Sequence, residues 1–217
     1  MKRTTLLLTL APLGLACGED AADPVGGMPA ESPETPSLIT TTDSGSQKES
    51  NIDSTDGEAW VFISFRAGGV QVEVSDPMAD AGWDVGFRRS NVRVNGGASG
   101  SGNGAVALIA GTTFDEVSRA PAMGWLTDEA EIEMGPDGSP VMNDGVDFAF
   151  TRAQGDDAPN GWFSYNPATH VLTPQDVVWA IRTPEDGYFA LKIVDWYDAA
   201  GTSAVWTVRW KAILPPL

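Results

Sequence analysis

The chain has 217 residues, with 30 Asp and Glu against 13 Lys and Arg, for a formal net charge of −17. Such a balance argues against nucleic acid as a partner, because that would need a concentrated basic patch, and it disfavours direct adhesion to anionic lipid. One cysteine and one histidine exclude an internal disulfide and the usual Cys/His zinc sets.

Met1-Lys-Arg-Thr-Thr is a charged opening, and Leu6 to Leu15 is an apolar run interrupted by Pro12. The run is too short to span a bilayer and fits a secretory leader over residues 1–16. It ends at Leu15-Ala16-Cys17-Gly18, which resembles the lipobox of a bacterial lipoprotein, with Gly14 where an aliphatic residue is usual. Cys17 is therefore the expected lipid attachment site. The stretch after it, Gly18 to Gly57, has no aromatic residue and carries Pro24, Pro29, Pro33 and Pro36 among many Ser, Thr, Asp and Glu. It cannot bury enough apolar surface to offset its ordering entropy, so residues 17–57 read as a disordered acidic tether. Residues 58–217 have the size of one domain with its own core.

Within that domain nearly every segment reads as strand. Trp60-Val-Phe-Ile-Ser-Phe is a continuous apolar run, and Val70-Gln-Val-Glu-Val-Ser alternates strictly after Gly68-Gly69. Trp83 to Asn95 changes phase: Trp83, Val85 and Phe87 share one parity, Val92 and Val94 the other. A change of face implies a bulge or sharp bend near Arg88-Arg89, or a strand that serves two sheets. Gly96 to Gly104 is a glycine-rich loop without the GK[ST] of a phosphate cradle, and reads as flexible. Ala105 to Ala110 is a short strand. Thr112 to Ala120 is the best helix candidate, with Thr113 as N-cap.

Pro121 to Gly145 is a long acidic connection containing Met123, Met134 and Met142, and long ordered connections tend to be functional. Val146 to Thr151, Trp162 to Tyr165, Val171-Leu172 and Val177 to Thr183 continue the strand pattern. The clearest signal is Tyr188 to Lys211, two long strands joined by Asp198-Ala-Ala-Gly201-Thr-Ser. On the first strand Phe189, Leu191, Ile193 and Tyr197 fall on one face, and Ala190, Val194 and Trp196 on the other; on the second, Trp206, Val208 and Trp210 share a face. Period-two alternation of this kind is the mark of a half-buried antiparallel hairpin. The fold class is all-β, with at most one or two short helices.

Chemistry is sparse. There is no GxSxG, and a catalytic triad would have to use His170, the only histidine. No pair among the many carboxylates stands out as an acid and base, so no catalytic residue is assigned and the chain does not read as an enzyme. Asp144, Asp147, Asp156 and Asp157 offer oxygen ligands for a loop calcium site, against the simpler reading of a solvated acidic loop. Arg88, Arg89 and Arg93 are suited either to a carboxylate or propionate ligand or to pairing with neighbouring acids.

Several blocks together resemble the HmuY-like haem-binding lipoproteins. They are Trp83-Asp-Val-Gly-Phe-Arg-Arg-Ser-Asn-Val-Arg-Val-Asn-Gly-Gly, Thr169-His170-Val-Leu-Thr-Pro, Val178-Trp-Ala-Ile-Arg-Thr and Tyr188-Phe-Ala-Leu-Lys-Ile-Val-Asp-Trp-Tyr. The resemblance covers most of Trp60 to Lys211. It implies a fold of long, twisted antiparallel strands anchored at the outer membrane, on its outer or periplasmic face. It also implies haem binding for iron acquisition and delivery to an outer-membrane receptor. With one histidine, two histidine ligands from one chain are impossible. A His/Met or Met/Met pair remains, drawn from His170, Met134 and Met142, because thioether sulfur is a haem ligand. The alternative is the same scaffold binding another small ligand or a partner protein.

Overall fold

The computed structural model describes the backbone of residues 36–134, 140–153 and 161–217, and the side chains of these residues except 132–134 and 140–144. The leader, Cys17 and the first part of the expected tether lie outside the described residues. A six-stranded sheet contains β1 (Ile39–Ser44), β2 (Gln47–Asp53), β7 (Ala105–Ile109), β12 (Val178–Arg182), β13 (Tyr188–Tyr197) and β14 (Ser203–Ala212), in the order β1-β2-β14-β13-β12-β7. A four-stranded sheet contains β3 (Val61–Ser64), β4 (Val70–Val72), β5 (Val85–Arg88) and β6 (Asn91–Val94), in the order β4-β3-β5-β6. Two further hairpins pair β8 (Glu129–Met134) with β9 (Pro140–Asp147), and β10 (Phe163–Asn166) with β11 (Val171–Pro174). All of these pairings are antiparallel. The all-β expectation holds.

The two larger sheets share one core. Phe87 meets Trp206 at a tilt with ring centroids 5.2 Å apart, and Phe65 meets Trp210 at 4.9 Å and Phe189 at 5.5 Å. Trp206, Val208 and Trp210 are buried together, as the alternation of β14 requires. Trp196 departs from the expected parity. The β13–β14 register shifts between Ile193 and Asp195 and again between Asp195 and Tyr197. An extra residue in one strand reverses the facing of the residues beyond it, so Trp196 is buried while Val194 is exposed. Its indole Nε1 donates to the Arg89 carbonyl at 3.1 Å.

The stretch 36–57 corrects the tether. β1 and β2 form a hairpin that pairs with β14 from Val205↔Asp53 to Trp210↔Lys48, so ordered chain begins well before Glu58. Inward alternation is present, but it is written Ser50, Ile52, Ser54. The two serines accept the core indoles: Trp210 Nε1 donates to Ser50 Oγ and Trp206 Nε1 to Ser54 Oγ, both at 2.9 Å. At Ser50 and Ser54 the polar composition reflects core hydrogen bonding, while Thr40, Thr42, Asp43 and Asn51 face solvent.

Four other expectations change. The phase shift in Trp83 to Asn95 is a complete reversal: β5 and β6 form a hairpin through Arg89-Ser90, with Arg89 at φ 51°, and Val85↔Val94 and Phe87↔Val92 pair on the core side. Thr112 to Ala120 contains turns and no helix. Glu116 folds back so that Thr113 N and Oγ1 both donate to its Oε2, at 3.0 and 2.7 Å, and nothing extends that turn. The described helix is instead α1 (Ala149–Arg152), in a segment whose pattern reads as strand, with Ala149 and Phe150 buried. The glycine-rich loop is tightly packed. A Cβ on Gly96 would stand 2.1 Å from the Gly104 carbonyl, and one on Gly104 would stand 2.4 Å from the Asn95 carbonyl.

Two buried carboxylates brace this region. Asp84 accepts the Phe65 amide at 2.7 Å and Arg66 Nε at 3.2 Å; Asp128 accepts the amides of Ala149 at 2.8 Å and Val94 at 3.1 Å. Burial pushes both carboxyls above their ordinary 3.8, against the pull of the Arg66 charge on Asp84 and of the Ala149 amide on Asp128. In the window between 3.8 and the raised values the folded chain binds more protons than the unfolded one. Stability from these groups therefore falls as pH rises through that window. Glu116 and Asp198, held low first by hydrogen bonds from Thr113 and from the Thr202 amide, lose their contribution only below their ordinary values. The melting temperature is expected to fall across that window, from its acid end to its alkaline end. A melting temperature that rises steadily from the lower pH to the higher in calorimetry would contradict the assignment.

Candidate functional site

His170 sits in the loop between β10 and β11. Asn166 sets that loop: its side-chain Oδ1 accepts the Ala168 amide at 2.9 Å and the Thr169 amide at 3.3 Å, while its carbonyl accepts the His170 amide at 2.8 Å. His170 closes the turn at φ 56°, a left-handed conformation in which His is among the better-tolerated side chains. Its ring lies against Tyr165, with Nδ1 and the Tyr165 hydroxyl 2.5 Å apart. Both side chains are exposed. The hairpin is tied to β13 by the Leu172 amide, which donates to the Tyr197 hydroxyl at 3.1 Å.

Met134 and Met142 lie on the other hairpin, so the long connection from Pro121 to Gly145 is partly β structure. Register pairs Met134 with Pro140 and Ile132 with Met142, which places positions 134 and 142 on one face of β8–β9. Their side chains lie outside the described residues. The structure therefore brings the two methionine positions together and carries His170 on a separate hairpin.

At the foot of β8–β9 is a cleft of about 570 Å³ that includes Trp60, Arg88, Arg93, Glu131, Asp147 and Phe148. Its floor comes from the four-stranded sheet, where Phe62, Gly86 and Arg93 form one cross-strand row. Trp60 precedes Phe62 by two positions, and Arg88 follows Gly86 by two, so alternation puts them on the same face. Gly86 matters here because a Cβ would meet the Phe62 ring at 3.1 Å and Arg93 Cγ at 3.3 Å. The Arg93 guanidinium lies 4.1 Å from the Trp60 ring centroid, 4.6 Å from Phe62 and 5.3 Å from Trp83, and that of Arg88 lies 4.7 Å from Trp60. Trp60 and Phe148 rings stand 5.7 Å apart. Burial draws the Arg93 pKa down to about 10, with Asp128 opposing and Arg88 adding to the shift; Arg93 stays charged at neutral pH.

The remaining sequence candidates are accounted for differently. Asp147 pairs with Arg152 at 3.5 Å, while Asp156, Asp157 and the Asp144 side chain lie outside the described residues. Among the described residues no group of His, Cys, Asp and Glu could hold a metal ion, and no helix is long and apolar enough to cross a membrane. Arg89 donates to the Thr55 carbonyl at 3.3 Å and so stands apart from Arg88 and Arg93. Neither the partnership of Trp60 with Phe148 nor the support of His170 by Tyr165 is among the sequence expectations. No local pattern joins Trp60 to Phe148. Tyr165 was within reach, because a hairpin turn at Asn166-Pro167 brings its flanking residues together.

A family model described as HmuY protein matches residues 56–210. No curated protein matches the chain. Among solved structures, a putative lipoprotein from Bacteroides fragilis is 17% identical, with a TM-score of 0.54, covering 79% of this chain and 94% of its own. A putative HmuY-like heme binding protein from Bacteroides vulgatus is 18% identical at TM-score 0.54, covering 81% and 97%. The apo HmuY analog of Tannerella forsythia is 15% identical at TM-score 0.53, covering 77% and 95%. At these identities the likeness is one of fold.

Proposed function

Because the chain belongs to the HmuY family, we propose that it binds haem as a cargo for iron acquisition, with His170 as one axial ligand and Met134 or Met142 as the other. Its Bacteroides vulgatus neighbour is itself named as heme binding, which supports the ligand class. The observation that carries the reading is the Tyr165–His170 contact. Ligating histidines usually place their second ring nitrogen against an oxygen, which fixes tautomer and orientation. With Nδ1–H given to the Tyr165 oxygen, Nε2 keeps the lone pair that a metal takes. A thioether from β8–β9 completes a His/Met donor set of a kind known for haem. Bound haem supplies the iron; the chain's residues hold it and release it.

The proposal extends to location and partner. Residues 1–16 serve as an export leader, Cys17 carries a lipid anchor, and an outer-membrane receptor takes up the haem. The role is binding rather than catalysis.

The test is a haemin titration of the chain from Pro36 onward, followed by Soret absorbance. A saturable shift at one equivalent is expected. His170→Ala, or Met134→Ala combined with Met142→Ala, should abolish the ligated spectrum, and Tyr165→Phe should weaken binding by about 10- to 100-fold. A featureless, nonsaturating change in the parent chain sinks the haem reading.

A further inference from the structure

We propose that Arg88 and Arg93 form a carboxylate clamp, and that the cleft against Trp60 binds a flat, conjugated molecule bearing a single-charge carboxylate. Arg88 and Arg93 stand in electrostatic conflict. Two guanidiniums share one indole ring, at 4.1 and 4.7 Å, and each raises the cost of the other's charge. Neither has an acceptor or an ion pair among the described residues, and Arg93 Nε is buried without a partner. The other described arginines all have one. Arg66 and Arg152 pair with carboxylates, Arg209 reaches Gln47 and Asp115, and Arg89, Arg119 and Arg182 donate to carbonyls. In a chain with 30 acidic residues, two adjacent arginines with no such partner among the described residues stand out.

Asp128 does not resolve the conflict. Its charge favours Arg93, but its oxygens are engaged by the Val94 and Ala149 amides. A carboxylate entering the cleft would supply the missing acceptor, because guanidinium forks match carboxylate geometry. The surroundings set the rest of the ligand. Trp60 and Phe148 offer ring surface for a flat hydrocarbon body, and about 570 Å³ is ample for one. Glu131 and Asp147 on the cleft wall are exposed, and their charge disfavours a phosphate dianion relative to a monoanionic head. The chemistry is shared by the propionate edge of a tetrapyrrole and by a free aromatic acid.

Calorimetric titration of the full chain with three iron-free probes tests this: protoporphyrin IX, its dimethyl ester, and 2-naphthoate. Saturable binding of either acid is expected, at least tenfold weaker in Arg88→Gln and in Arg93→Gln. If protoporphyrin binds, its ester should bind at least tenfold more weakly. Binding of naphthoate identifies a free aromatic acid as sufficient, whereas binding of protoporphyrin alone identifies the tetrapyrrole. Arg88 makes no described hydrogen bond, so Arg88→Gln tests the site even if Arg93→Gln fails to fold. The proposal is overturned if neither acid binds, if the ester binds as well as protoporphyrin, or if folded Arg88→Gln binds as the parent does. Because the probes lack iron, a chain that binds them yet gives no Soret shift with haemin keeps the clamp and loses the axial-ligand reading.

Discussion

A chain beginning at Glu58 is expected not to fold, whereas one beginning at Pro36 is expected to unfold cooperatively. The shorter chain loses β1 and β2, and with them the only neighbour on one side of β14. Burial of Ile39 and Ile52 is worth about 1.5–3 kcal/mol each. The hydrogen bonds from Trp206 to Ser54 and from Trp210 to Ser50 contribute about 0.5–1.5 kcal/mol each. Together these terms amount to about 4–9 kcal/mol, against a net stability of about 5–15 kcal/mol for a domain. The new edge strand is also long and carries Trp206 and Trp210 on its inner face, which invites edge-to-edge association. Circular dichroism melts and gel filtration of the two chains decide the matter. A cooperative, monomeric Glu58 chain would show that the hairpin is dispensable. A gentler probe is Ser54→Ala, which leaves the Trp206 N–H buried without an acceptor, at a cost of about 1–3 kcal/mol.

That hairpin also marks the limit of what residue pattern reveals. β13 and β14 were legible because their inward positions are Phe189, Leu191, Ile193, Trp206, Val208 and Trp210, so period and hydrophobicity agree. β2 has the same period, but the inward residues there are Ser50 and Ile52, with Ser54 just past its end. Their role depends on two tryptophans more than a hundred positions away in the chain, which composition cannot register. Val85, Phe87, Val92 and Val94 gave a true signal of a bend, but phase alone does not separate a bulge from a full turn. Parity alone puts Trp196 on the opposite face, and the extra residue of β13 between Ile193 and Asp195 reverses it. Thr113 and Glu116 have the spacing of a capping box; the side-chain bonds form, yet no helix grows from them.

The candidate site divides in the same way. His170, Met134 and Met142 could be nominated by residue type and by resemblance, since few side chains can ligate iron. Arg88 and Arg93 were visible as cations whose partners the sequence left open. What turns them into a cleft is a third dimension: Gly86 clears space beside Arg93, Trp60 takes both guanidiniums, and Phe148 arrives from the end of β9. The overall acidity of the chain argues for paired arginines, yet among the described residues these two have no acceptor.

Gly97→Ala is expected to destabilise the fold by about 3–5 kcal/mol, while Gly201→Ala costs only about 1–2 kcal/mol. Both glycines hold positive φ, 63° and 85°, so both substitutions incur left-handed strain. They differ in what a new Cβ meets. At Gly201 there is nothing within 4 Å, whereas at Gly97 the Cβ would stand 2.0 Å from the Asp128 carbonyl oxygen, a backbone atom that cannot swing away. That carbonyl accepts the Ala98 amide at 2.8 Å, and the same residue's carboxylate holds the amides of Val94 and Ala149. Forcing residues 97 and 128 apart therefore loosens β6 and the start of α1 together, and displaces the negative charge that favours Arg93. Urea denaturation of the two variants measures the energetic gap, and equal destabilisation would show that φ strain alone governs both positions. If the gap appears, a Gly97→Ala chain that still folds should also bind the iron-free acids more weakly, because the loop that seats Asp128 is then part of what positions the clamp.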